Sequence, residues 1–126
     1  MKNILVIGLG SMGYGIAVSL IRSGYKVFGQ DKNSVQEKNF FEDGGFVTDI
    51  PYTTLDAVII VVLNEIQTRE IIFGSNGIAG KLKKSTLIMV CTTVSPNFAK
   101  EMGSNCKNKD LLYLDAPISG GAKKSS

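Results

Sequence analysis

Three glycines near the amino terminus have the spacing that lets a polypeptide backbone approach a phosphate. Gly8-Leu9-Gly10-Ser11-Met12-Gly13 fits G-x-G-x-x-G, and an acidic residue, Asp31, follows 18 positions after Gly13. Each glycine has its own task in such a loop. Gly8 permits the tight turn out of a strand. Gly10 has no Cβ, so a pyrophosphate can come close. Gly13 lets the following helix pack tightly. The free N–H groups and the positive end of that helix dipole then face the phosphates. A carboxylate at Asp31 accepts hydrogen bonds from the adenosine ribose hydroxyls and repels a 2′-phosphate, which favours NAD over NADP. The neighbouring Lys32 partly opposes that repulsion.

The motif carries weight only if a strand precedes it and a helix follows. Asn3 to Ile7 is a β-branched and aliphatic run ended by Gly8. Ser11 to Ser23 places Met12, Ile16 and Leu20 at helical spacing, with Gly24 at the stop. Tyr25 to Gly29 reads as a second strand, and Asn33 caps a helix through about Glu42. Phe46–Val47 reads as a short third strand. Ala57 to Leu63 is apolar on both faces, as an interior parallel strand is. Helices are expected over Glu65 to Phe73 and Pro96 to about Asn105, and strands over Thr86 to Val90 and Leu111 to Leu114. This alternation predicts an α/β fold of Rossmann type, doubly wound, with a mainly parallel sheet and helices on both faces.

Composition narrows the chemistry. The 126 residues contain no histidine, which excludes a Ser-His-Asp triad, a Cys-His dyad and a histidine-ligated zinc within the chain. Two cysteines, Cys91 and Cys106, make neither a four-thiolate metal site nor a disulfide framework. Cys91 reads as a small buried hydrophobe. Unpaired thiols and the lack of a signal-peptide pattern point to a cytoplasmic protein. No apolar run reaches the roughly 18 residues that span a bilayer, so no membrane association is expected. The net charge is +3. Lys81, Lys83 and Lys84 cluster without interleaved aromatics and read as a solvated surface, not a nucleic-acid patch.

Several stretches together resemble a known family. Gly8 to Gly13, followed by Ala17, Leu20, Gly24, Tyr25, Val27 and Asp31, is similar to the amino-terminal signature of the β-hydroxyacid dehydrogenases, the 3-hydroxyisobutyrate dehydrogenase type. Thr92-Thr93-Val94-Ser95-Pro96 resembles that family's Ser-Thr-x-x-Pro loop. Asp115-Ala116-Pro117-Ile118-Ser119-Gly120-Gly121 resembles its substrate-loop motif D-A-P-V-S-G-G. Val61-Val62-Leu63-Asn64, Gln67 and Phe73 to Ile78 look most like the L-threonate dehydrogenase branch; several other branches have Leu-Pro where this chain has Leu63-Asn64.

The resemblance implies roles residue by residue. Gly8, Leu9, Gly10, Ser11, Met12 and Gly13 match the pyrophosphate loop. Asp31 matches the position that selects NAD. Leu63, Asn64 and Gln67 match the adenosine and ribose side of the cleft, and Thr93 the threonine near the nicotinamide ribose. Ser119, Gly120 and Gly121 match the loop that holds the substrate carboxylate. A hydroxyl and several unobstructed N–H donors after a parallel strand suit that task on physical grounds as well.

The resemblance also implies what is missing. Full members run to more than twice this length, and a second, helical domain carries their catalytic lysine. Lys123 and Lys124 come too early to match it, and no catalytic residue is expected in this chain. Asp115 could in principle serve as the acid or base, but it sits in a packing motif where a structural role is at least as apt. Residues 1–126 thus read as one NAD(P)-binding Rossmann domain, incomplete at its carboxyl-terminal end. The expected function is the NAD half of an oxidoreductase that moves hydride between a small hydroxy acid, of L-threonate or 3-hydroxyisobutyrate type, and NAD. Its full-length form is expected to be a homo-oligomer. The alternative is a truncated, non-catalytic NAD-binding or interaction module.

Overall fold

A computed structural model describes residues 2–117. Five strands alternate with four helices: β1 Asn3–Ile7, α1 Ser11–Arg22, β2 Lys26–Gln30, α2 Ser34–Glu42, β3 Ala57–Ile60, α3 Glu65–Phe73, β4 Leu87–Val90, α4 Pro96–Asn108 and β5 Leu112–Asp115. The strands form one parallel sheet in the order β2-β1-β3-β4-β5. The chain reverses direction between β2 and β3, and both lie beside β1. Ligands bind open α/β sheets at such a switch point, outside the carboxyl ends of the strands.

Strand alternation sends side chains to two cores. Leu5, Val58, Ile60, Ile88 and Val90 meet Ile72 of α3 and Phe98, Met102 and Cys106 of α4 on one face. Ile4, Val6, Val27 and Ile59 meet Ala17 of α1 and Phe40 of α2 on the other. Tyr14 stands edge-on to Phe40, with ring centroids 5.8 Å apart. Its hydroxyl donates to Asp43 just beyond α2, and that hydrogen bond pushes its pKa up to about 12. Arg69 of α3 makes a bidentate pair with Glu101 of α4 and lies over the Phe98 ring. Each helical layer is therefore tied internally as well as to the sheet.

Helix α1 and strands β2, β4 and β5 lie within one residue of the sequence reading, and three elements differ by more, each for a local reason. Phe46–Val47 is not a strand. Phe46 makes a single parallel bridge to Phe28, and the chain then turns away through Asp49, whose φ is 54°, toward Pro51. Strand β3 stops at Ile60 instead of Leu63 because the Thr92 hydroxyl takes both backbone groups of Val62. It accepts from the Val62 N–H at 3.3 Å and donates to the Val62 carbonyl at 3.0 Å. Helix α4 continues past Asn105 to Asn108 because Cys106 extends the Phe98, Met102 stripe by another turn into the core.

Helix α4 begins with Ser95, whose Oγ accepts the Phe98 N–H at 3.1 Å, and Pro96 occupies the first helical position. Ser95→Ala should lower unfolding free energy by about 1 kcal/mol. A urea titration checks this, with the midpoint shifting and the slope unchanged.

Candidate dinucleotide site

A cleft of about 1090 Å³ opens at the carboxyl ends of β1, β2 and β3. Gly8, Gly10, Ser11, Met12 and Gly13 form its floor. The chain leaves β1 through Gly8 at φ +100°, and a Cβ there would meet the Val61 carbonyl oxygen at 1.9 Å. A Cβ on Gly13 would meet the Gly8 carbonyl oxygen at the same distance. Those two glycines let loop, helix and sheet close on one another. Gly10 differs: a Cβ there would meet nothing within 4 Å. The space above it faces outward, as a cradle for an approaching ligand requires.

Helix α1 starts at this loop with no side-chain cap and no acidic residue in its first turn. The N–H groups of Ser11, Met12 and Gly13 precede the first intrahelical bond, from the Tyr14 N–H to the Gly10 carbonyl at 2.8 Å. By contrast α2, α3 and α4 are capped by Asn33, Asn64 and Ser95. Free donors and a positive dipole end thus converge on the cleft floor, which suits an anion.

Asp31 stands across the rim, directly after β2. Its carboxylate accepts the Leu9 N–H at 2.6 Å and the Asn33 N–H at 2.8 Å. The Gln36 side-chain amide donates to the Leu9 carbonyl. Leu9 itself points into the core, fully buried, so it serves the loop through its backbone and does not line the cleft. Gln36 and Glu37, which sequence reading passed over, sit in the first turn of α2. The Asn33 cap with charged and amide residues after it was their only signal.

The far wall comes from α3. Leu63 and Gln67 line the cleft, and Leu63 is 86% exposed. Asn64 accepts the Gln67 N–H at 2.9 Å, while the Gln67 side-chain oxygen accepts the Leu63 N–H at 2.8 Å. Both amide oxygens are occupied in starting the helix, which leaves the Gln67 NH₂ group as a donor at the wall. Asn64 caps the helix without lining the cleft. Gln30 and Val47 line the cleft from the β2 side, and Glu70, Ser75 and Asn76 line it from α3 and the turn after it. Of these, only Ser75 and Asn76 lie in a stretch that carries the family resemblance.

Thr93 lies exposed just past the carboxyl end of β4 and outside the lining of this cleft. Its neighbour Thr92 is buried and ties β4 to Val62. Cys91 and Cys106 are free and buried; burial pushes the Cys91 thiol up and the Cys106 thiol to about 11, which makes both poor nucleophiles. Ser119, Gly120 and Gly121 lie outside the described residues. Among the described residues no His/Cys/Asp/Glu group is arranged to hold a metal, and no helix is long and apolar enough to cross a membrane.

The parallel sheet, its switch point, the glycine cradle and the acceptor at the end of β2 define a dinucleotide-binding domain. The residues present fit such a ligand: Gly10 leaves the room a pyrophosphate needs, and α1 supplies uncommitted donors beneath it. The chain belongs to the family of the NAD-binding domain of 6-phosphogluconate dehydrogenase, whose model matches residues 3–126. L-threonate dehydrogenase of Cupriavidus necator is 38% identical over 128 residues, covering 99% of this chain and 43% of that protein. Mitochondrial 3-hydroxyisobutyrate dehydrogenase of Rattus norvegicus is 33% identical over 118 residues, covering 91% and 35%. The crystal structure of 3-hydroxyisobutyrate dehydrogenase from Salmonella typhimurium superposes with a TM-score of 0.88 at 34% identity, covering 98% of this chain and 44% of that one. The chain therefore spans less than half the length of these relatives.

Proposed function

We propose that this chain binds NAD in preference to NADP and forms the cofactor half of a β-hydroxyacid dehydrogenase. The observation that carries the reading is the uncapped start of α1 under the open space at Gly10, with Asp31 pinned across the rim. The Ser11, Met12 and Gly13 N–H groups would hold the pyrophosphate. Asp31 would accept the ribose hydroxyls, and the Gln67 amide would donate from the opposite wall. Bound NAD supplies the acceptor for the hydride leaving the hydroxyl carbon of a small hydroxy acid, of L-threonate or 3-hydroxyisobutyrate type. Ser119, Gly120 and Gly121 would hold the substrate carboxylate, and Thr93 would sit beside the nicotinamide ribose.

The substrate hydroxyl proton must pass to a general base. The resemblance assigns that base to a lysine in a helical second domain, which these residues do not include. Helical residues supplied beyond this chain would complete the enzyme as a homo-oligomer. The buried thiols support a reducing, cytoplasmic setting.

Calorimetric titration of the purified chain tests the cofactor assignment. NADH should bind at least about tenfold tighter than NADPH, a difference of roughly 1.4 kcal/mol. Equal affinities would show that Lys32 offsets the Asp31 carboxylate.

A further inference from the structure

We infer that Glu37 is a second determinant of cofactor choice, acting with Asp31 to keep a 2′-phosphate out. The inference rests on the cofactor reading above. Glu37 is partly buried, lines the cleft, and accepts the Asp31 N–H through Oε2 at 3.0 Å. Asp31 in turn accepts the Asn33 N–H at 2.8 Å. The start of α2 thus stands beside the ribose end of the cleft, where its dipole would attract an anionic substituent. Two carboxylates occupy that place instead.

The charge balance at this rim decides the direction. Asp31, Glu37 and Lys32 are the ionic residues on its β2–α2 side, two negative against one positive, while Glu70 of α3 lines the same cleft from the α3 wall. Lys32 is exposed, so solvent screens it, whereas both carboxylates are partly buried. Were Asp31 the sole carboxylate on this side, Lys32 would offset part of its repulsion of a phosphate. Glu37 tips the balance negative. Because Glu37 bonds only the backbone of Asp31, removing its charge leaves the ribose acceptor itself in place.

Glu37→Gln separates charge from support, because the amide oxygen can still accept the Asp31 N–H. NADH and NADPH are titrated against wild type and variant by calorimetry at about 0.05 M and about 1 M salt. The variant should bind NADPH about five- to tenfold tighter at low salt, with NADH moving less than about twofold. The gain should shrink at high salt, where charges beyond a few ångströms are screened. Glu37→Ala also removes the support, and should weaken NADH as well.

NADPH affinity unchanged in Glu37→Gln, or both nucleotides shifting in parallel, would overturn the inference and leave Glu37 as a strut. A selective NADPH gain in a protein whose wild type binds both nucleotides equally would uphold Glu37 and overturn only the NAD preference. Wild type binding neither nucleotide would overturn both.

Discussion

Gly10→Val should weaken NADH binding by about two orders of magnitude, roughly 2.7 kcal/mol, while the protein stays folded. Gly10 has φ −67°, which valine adopts without strain, and a Cβ there meets nothing within 4 Å. The branched side chain would fill only the space that a pyrophosphate needs. Calorimetry gives the loss, and an unchanged thermal transition shows that the fold survives. Wild-type affinity in the variant would move the phosphate cradle elsewhere. Gly13→Ala is not a substitute test, because its Cβ would collide with the Gly8 carbonyl and disturb the loop itself.

The second large effect is an absence of turnover. The isolated chain should bind NAD yet oxidise neither L-threonate nor 3-hydroxyisobutyrate. It holds no histidine, and its two thiols are buried with raised pKa values. Loss of a general acid or base commonly costs about 10²–10⁴-fold. Loss of the walls that position substrate and exclude water adds to that. An absorbance assay at about 340 nm for NADH should read only background. NAD-dependent oxidation by the pure chain, abolished by joint Thr93→Ala and Ser119→Ala substitution, would reveal a catalytic group among these residues. Asp115 would be the first to test.

Most of the architecture was legible in the sequence because local signals agreed with the fold. The β1–Gly8–α1 passage, the Asn33 cap and the span Glu65 to Phe73 all appear where spacing and cap residues placed them. Long-range partners were not legible. Nothing local says that the Thr92 hydroxyl captures Val62, yet that bond ends β3. Site residues divide in the same way. Gly8, Gly10, Ser11, Met12, Gly13 and Asp31, which motif spacing singles out, share one cleft with Leu63 and Gln67, which only the family resemblance supplies. Leu9 and Asn64 belong to the same segments, but their direction depends on packing and capping that spacing does not encode. Glu37 carries no local signal because its partner is a backbone N–H six residues back, brought to it only when β2 and α2 come together.

The hydrogen bonds joining Leu9, Asp31, Asn33, Gln36 and Glu37 also bear on time. They hold the rim in one arrangement before any ligand arrives, so encounter does not wait for a segment to order itself. The entropy of fixing those side chains is settled during folding and is not charged again at binding. Nucleotides that fit well and badly should then arrive at similar speeds. What separates them is how long each one stays.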